Sequence, residues 1–69
     1  MKEFKLEKPF IKLDQFLKAT DQVCSGGEAK IRIVEGEVLL NDEICTQRGK
    51  KLYKNDIVCL DNICIKIID

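Results

Sequence analysis

The hydrophobic period of this chain changes from helical to strand-like at Gly36, and that change constrains the fold class more than any other feature. From Leu13 to Gly36 the apolar residues follow helical spacing; after it they come in short strand-like runs. Leu13, Phe16, Leu17 and Thr20 stand at i, i+3, i+4 and i+7, which predicts a helix from Lys12 or Leu13 to Thr20 or Asp21. Asp14 falls in its first turn, where the positive end of the helix dipole favours a carboxylate. A second helix is predicted from Ser25. Ser25-Gly26-Gly27-Glu28 has the S-x-x-E form of a capping box: the Ser25 hydroxyl accepts from the Glu28 N–H, and the Glu28 carboxylate reaches back to the Ser25 N–H. Ala29 and Ile33 then face inward, and Gly36 follows the last turn as the residue beyond the C-cap. Downstream, VLL and EIC flank Asn41-Asp42, and IVCL and ICIKII flank Asp61-Asn62, so two tight hairpins are expected. Upstream, EFKLE alternates as one short strand that Pro9 ends. Between the hairpins, TQRGKKLYKND reads as a polar, basic loop. The order of strand, two helices and four short strands is an α+β arrangement. No repeat, linker or low-complexity segment divides it, so residues 1–69 are expected to form one domain.

Size and residue types narrow the function. A chain of 69 residues buries only about 60% of its unfolded surface, which leaves little material for a catalytic cleft. It contains no histidine, the commonest general base and metal ligand, and no nucleophile–base pair can be assembled without one. Asp14 and Glu28 are explained as helix-start residues. A binding module, not an enzyme, is the expectation, with no cofactor. Cys24, Cys45, Cys59 and Cys64 contain no C-x-x-C pair. Cys59 and Cys64 lie in apolar runs, so reduced core cysteines are expected, with a redox or metal role as the lesser reading. MKEFKLEKPF lacks the long apolar stretch of a signal peptide, and no run approaches a membrane span. A soluble, cytoplasmic monomer with no membrane partner is expected.

The 12 basic and 12 acidic residues cancel, but distribution matters more than the sum. Gln47 to Asn55 holds Arg48, Lys50, Lys51 and Lys54 and no acid. Lys12 and Lys18 sit on the first predicted helix, and Lys30 and Arg32 on the second. Many acids, among them Glu35, Glu37, Asp42, Glu43, Asp61 and Asp69, lie elsewhere, so a balanced total is compatible with one basic face.

Two candidate sites follow. Helix-start N–H groups are unpaired donors at the positive end of the dipole and bind phosphate. With no Cβ at Gly26 and Gly27, an RNA backbone can approach closely, and Lys30 adds charge one turn on. The structural alternative is that Gly-Gly only eases the turn out of Cys24. The second site is QRGKKLYK, where Arg48, Lys50, Lys51 and Lys54 can neutralise phosphates and Tyr53 can stack on an exposed base. The alternative there is a solvated loop over a buried Leu52 and Tyr53.

These stretches resemble a known family. IKLDQFLK, SGGEAKIRIVEGEVLLND and RGKKLYKNDIV are similar to the S-four RNA-binding domain, named for the fourth protein of the small ribosomal subunit. That domain carries a basic residue before Leu-Asp, matched by Lys12-Leu13-Asp14, then a serine and alanine on helix two, matched by Ser25 and Ala29. The resemblance continues through Gly36 to Asn41, Arg48 to Leu52, and Asp56 with Val58. The Ser-Gly-Gly-Glu-Ala-Lys start is most similar to the small stand-alone bacterial YaaA/YbcJ-like members. The resemblance covers Ile11 to Val58 and implies two packed helices against a small, curved, mainly antiparallel sheet. Their exposed face and the basic loop would form one RNA-binding surface. Three positions depart from the pattern. Gly26 stands where many relatives have arginine, so backbone donors and Lys30 must serve instead. Asp42 and Asn55 replace turn glycines, and both residue types tolerate left-handed geometry.

The resulting expectation is a non-catalytic binder of structured RNA, ribosomal RNA above all, and not DNA. Its site comprises Lys12, Ser25, Gly26, Gly27, Lys30, Arg48, Gly49, Lys50, Lys51 and Lys54. The competing expectation is a protein-interaction module with a ubiquitin-like sheet. A sulfur or modifier carrier fits poorly, because its Gly-Gly belongs at a flexible C-terminus and the Gly-Gly here is internal.

Overall fold

The computed structural model describes residues 1–69. The chain runs β1 (Lys2–Lys5), β2 (Ile11–Lys12), α1 (Leu13–Ala19), α2 (Gly26–Val34), β3 (Leu39–Leu40), β4 (Glu43–Ile44), β5 (Lys51–Leu52), β6 (Ile57–Leu60) and β7 (Ile63–Ile68). Two helices pack against a mixed five-stranded sheet of order β1-β7-β6-β3-β4. β1 lies parallel to β7, and the other pairs are antiparallel. A separate two-stranded sheet joins β2 to β5. These two short strands have no periodicity to betray them, so the segment read as basic loop contains a strand.

The core forms where the two periods meet. Leu13, Phe16 and Leu17 of α1, Ala29 and Ile33 of α2, and Val58, Leu60, Ile65 and Ile67 of the sheet are buried in one cluster. Phe16 meets Phe4 of β1 edge to face, with ring centroids 5.2 Å apart, a favoured aromatic geometry.

The turns are set by local chemistry. Asn41 and Asp42 (φ 52° and 70°) and Asp61 and Asn62 (φ 54° and 66°) are left-handed at both central hairpin positions, as two-residue turns of type I′ require. Asn55 is also left-handed, at φ 77°. Helix α2 ends in a Schellman motif: the Gly36 N–H donates to Ile33 O at 3.0 Å and the Glu37 N–H to Arg32 O at 3.1 Å. Gly36 itself has φ +77°, and a Cβ there would lie 3.5 Å from Ile44 Cγ2. Gly36→Ala is expected to destabilise the fold by about 1–2 kcal/mol, the left-handed penalty of a non-glycine residue. Urea denaturation checks this; an unchanged midpoint would remove Gly36 as a conformational requirement.

The cysteine expectation is corrected. Val58, Leu60, Ile65 and Ile67 take the core face of the β6–β7 hairpin. Strand alternation turns their neighbours Cys59 and Cys64 to the opposite face. The register sets these two directly across from each other, with Cα atoms 4.1 Å apart and the sulfurs joined in a disulfide. They are therefore neither core residues nor free thiols, whereas Cys24 and Cys45 are free. No helix is long and apolar enough to cross a membrane.

Candidate nucleic-acid interface

Helix α1 needs help at its start, and that need positions the basic loop. Its N-cap residue, Lys12, makes no side-chain capping bond, yet the first N–H groups of a helix have no partner within it. Loop carbonyls serve instead: the Leu13 N–H donates to Lys50 O at 2.9 Å and the Asp14 N–H to Arg48 O at 3.1 Å. The buried pair Leu13 and Leu52 anchors the arrangement, and β2–β5 pairing sets Lys12 directly opposite Lys51. Lys12, Arg48, Gly49, Lys50 and Lys51 are thus gathered at the start of α1, all exposed. None of these cations is paired with a carboxylate. The nearby Asp14 turns back on its own helix, where its Oδ1 accepts the Gln15 N–H at 2.8 Å.

The second group sits at the start of α2. Ser25 Oγ accepts the Glu28 N–H at 3.1 Å, as the capping box predicts. The return bond differs: Glu28 Oε1 accepts from Cys24 N–H at 2.8 Å, not from Ser25. Ser25 is extended (φ −150°, ψ 165°), and the amide one residue further upstream is the one in reach. The Gly26 and Gly27 N–H groups donate to nothing within the chain. A Cβ at Gly26 would meet nothing within 4 Å, and one at Gly27 only Ser25 Oγ at 3.9 Å. Neither glycine has a positive φ. Nothing inside the fold therefore calls for glycine at either position. Lys30 is exposed one turn on. The link between this group and the α1 group is the packing of the two helices through Leu13, Phe16, Leu17, Ala29 and Ile33.

Two further cations of the sequence reading are engaged in ion pairs outside both groups. Lys54 Nζ pairs with Asp69 Oδ2 at 3.3 Å, and that hydrogen bond holds the Asp69 carboxyl below its usual range. Arg32 pairs with Asp61 and, at 2.5 Å, with Glu37. Hydrogen bonds to Asp61 first, then Glu37, raise its already high pKa. The positive face is accordingly smaller than the charge count suggests.

Aromatic placement was only half legible. Leu52 is fully buried, but Tyr53 is 51% exposed rather than lying underneath the loop. Its ring centroid is 6.4 Å from that of Phe10, and Lys51 Nζ lies 4.7 Å from the Phe10 centroid, within cation–π range. No local pattern in the sequence singles out Phe10, because the pairing of β2 with β5 that brings it beside Lys51 joins segments distant in the chain. Asn41 and Asp56 act as a structural clip. Asn41 Nδ2 donates to Asp56 Oδ1 at 3.1 Å, Asn41 Oδ1 accepts the Ile57 N–H at 2.9 Å, and Asp56 Oδ2 accepts the Tyr53 N–H at 2.8 Å.

The chain is similar to known proteins in sequence and in fold. Over 53 residues the chain is 49% identical to the Probable ribosome maturation protein RlbA of Bacillus subtilis (strain 168), covering 77% of this chain and 75% of that protein. The solution structure of YbcJ from E. coli, described as revealing an ALFAL motif involved in RNA-binding, superposes with a TM-score of 0.76 at 28% identity. That match covers all of this chain and 89% of YbcJ. The S4 domain profile matches residues 4–68. With the two-helix layer, the mixed sheet and the loop-capped first helix in place, the chain belongs to the S4-domain family.

Proposed function

We propose that this protein is a non-catalytic, cytoplasmic RNA-binding protein that grips structured RNA, ribosomal RNA in particular, by its sugar-phosphate backbone. One observation carries the reading. Lys12, Arg48, Lys50 and Lys51 are held together without a carboxylate partner, although like charges directly opposite one another destabilise a strand pair. A polyanion bound outside the fold offsets that cost. Arg48, Lys50 and Lys51 neutralise phosphates, with Lys12 beside them. Gly49, bare of any near neighbour, lets the strand approach the loop. Ser25, Gly26, Gly27 and Lys30 receive a further phosphate at the start of α2, where free N–H groups and the dipole favour an anion. Lys54 supplies charge only if RNA displaces Asp69. The descriptions of RlbA, a 'Probable ribosome maturation protein', and of YbcJ, with a motif involved in RNA-binding, support the same partner.

The bare helix start gives a test with opposite signs in two assays. Gly26→Ala is expected to stabilise the fold by up to about 0.5 kcal/mol, since alanine loses less backbone entropy than glycine. The same substitution is expected to weaken ribosomal RNA binding about fivefold, the worth of one hydrogen bond that the new methyl holds apart. Greater stability with unchanged affinity would remove Gly26 from the site. Crosslinking in cells, followed by sequencing of the bound RNA, tests the function itself; recovery of no RNA above background would count against it. The ubiquitin-like interaction module has less support, because two helices cover the sheet and the family is that of the S4 domain.

A further inference from the structure

Beside the basic loop lies an open groove of about 470 Å³, lined among others by Glu43, Ile44, Gln47, Lys50, Lys51 and Tyr53. That volume falls in the roughly 300–1,000 Å³ range of small-ligand clefts. Its walls are unusual for this molecule. Ile44 is 65% exposed and Tyr53 is 51% exposed, two of the few large apolar side chains that the fold leaves uncovered. Neither the Gln47 side-chain amide nor the Glu43 carboxylate has a hydrogen-bond or salt-bridge partner within the chain. The groove therefore has three chemistries in one place: cations on the loop side, a flat aromatic and an aliphatic side chain, and an unengaged acceptor with an unengaged amide on the β4 side.

We propose that this groove takes one unpaired base of the bound RNA, and that the base is an amino-bearing one, adenine, cytosine or guanine rather than uracil. The inference rests on the RNA-binding reading above and adds a nucleotide subsite to it. An RNA phosphate held by Lys50 and Lys51 brings the attached nucleoside to the mouth of the groove. Tyr53 offers the face on which an unstacked base stacks, the usual mode by which proteins read single-stranded RNA. Ile44 supplies apolar contact. Glu43 accepts from an exocyclic amino group, the hydrogen bond that a carboxylate makes to cytosine, and uracil has no such donor. The acid is thus placed where a base edge reaches, while the phosphates stay with the lysines.

The experiment uses three RNAs: a duplex with a single unpaired adenosine, the same duplex with an unpaired uridine, and the fully paired duplex. Affinities are measured for each at fixed salt. The adenosine bulge is expected to bind about tenfold tighter than the paired duplex, in line with one stacked base, and tighter than the uridine bulge. Tyr53→Ala should bring the bulged and paired affinities together, and Tyr53→Phe should keep them apart. Glu43→Gln should narrow the gap between adenosine and uridine. Equal binding of all three RNAs to the wild-type protein overturns the subsite and leaves RNA binding standing. An adenosine preference that survives Tyr53→Ala in a folded protein also overturns it. Failure of the wild-type protein to bind any of the three, or ribosomal RNA, overturns the underlying reading instead.

Discussion

Reversing two charges, as Lys50→Glu with Lys51→Glu, is expected to lower ribosomal RNA affinity by at least about 25-fold at 0.1 M salt. The figure comes from counterion release. Each neutralised phosphate contributes a slope of about 0.7–0.9 log units of affinity per log unit of salt, so between 1 M and 0.1 M salt each contact gains about five- to eightfold. Losing two contacts removes roughly 25- to 60-fold, and reversal adds repulsion to that. The salt slope itself should flatten by about 1.4–1.8. The fold should survive. Both lysines are exposed, and the loop is held by the carbonyls of Lys50 and Arg48, not by these side chains. The Lys51 contact with Phe10 is worth about 0.5–1 kcal/mol at an exposed site. Against that, a glutamate at 51 faces Lys12 and replaces a repulsive pair with an attractive one. Titrations at several salt concentrations, with circular dichroism as the folding control, check both parts. Wild-type affinity and slope in a folded double variant would exclude the loop from the interface.

Phe16→Ala carries the largest expected effect on stability, about 3–5 kcal/mol. Phe16 is fully buried, stacks edge-on against Phe4 and lies in the single cluster that joins α1 to the sheet. A domain of 69 residues has roughly 3–10 kcal/mol in total at typical values per residue. The variant is therefore expected to be marginal or unfolded at 25 °C, and its RNA binding should vanish with the fold. Phe16→Leu retains most of the volume and should cost much less, as milder core substitutions do. Urea denaturation of both variants decides the matter: an alanine variant within 1 kcal/mol of wild type would mean that α1 is not held by this side chain.

The proposed interface depends on that packing, because α1 presents its start to the basic loop only while its other face is buried. Of the interface, the sequence made the residue types visible but not their neighbours. Lys12 and Lys51 are 39 positions apart, and nothing in either local pattern says that they face each other. The same holds for Arg32, which looks like part of a basic helix until Glu37 and Asp61 are found beside it. Tyr53 stands between Lys51 and Lys54, and only the surrounding packing shows that its ring is exposed.

The amino-acid sequence by itself determined both helices, the Ser25 cap, the Gly36 stop and both tight hairpins. Each depends on contacts within a few residues: a repeat of apolar side chains, one side-chain oxygen and one amide, or a left-handed φ that asparagine, aspartate or glycine tolerates. Only the tertiary structure decided the β2–β5 pairing, the partner of Cys59, the ion pairs of Arg32 and Lys54, and the groove beside Tyr53. Those depend on the relative placement of segments distant in the chain, which is set by how the whole core packs and leaves no trace in any short window of residues.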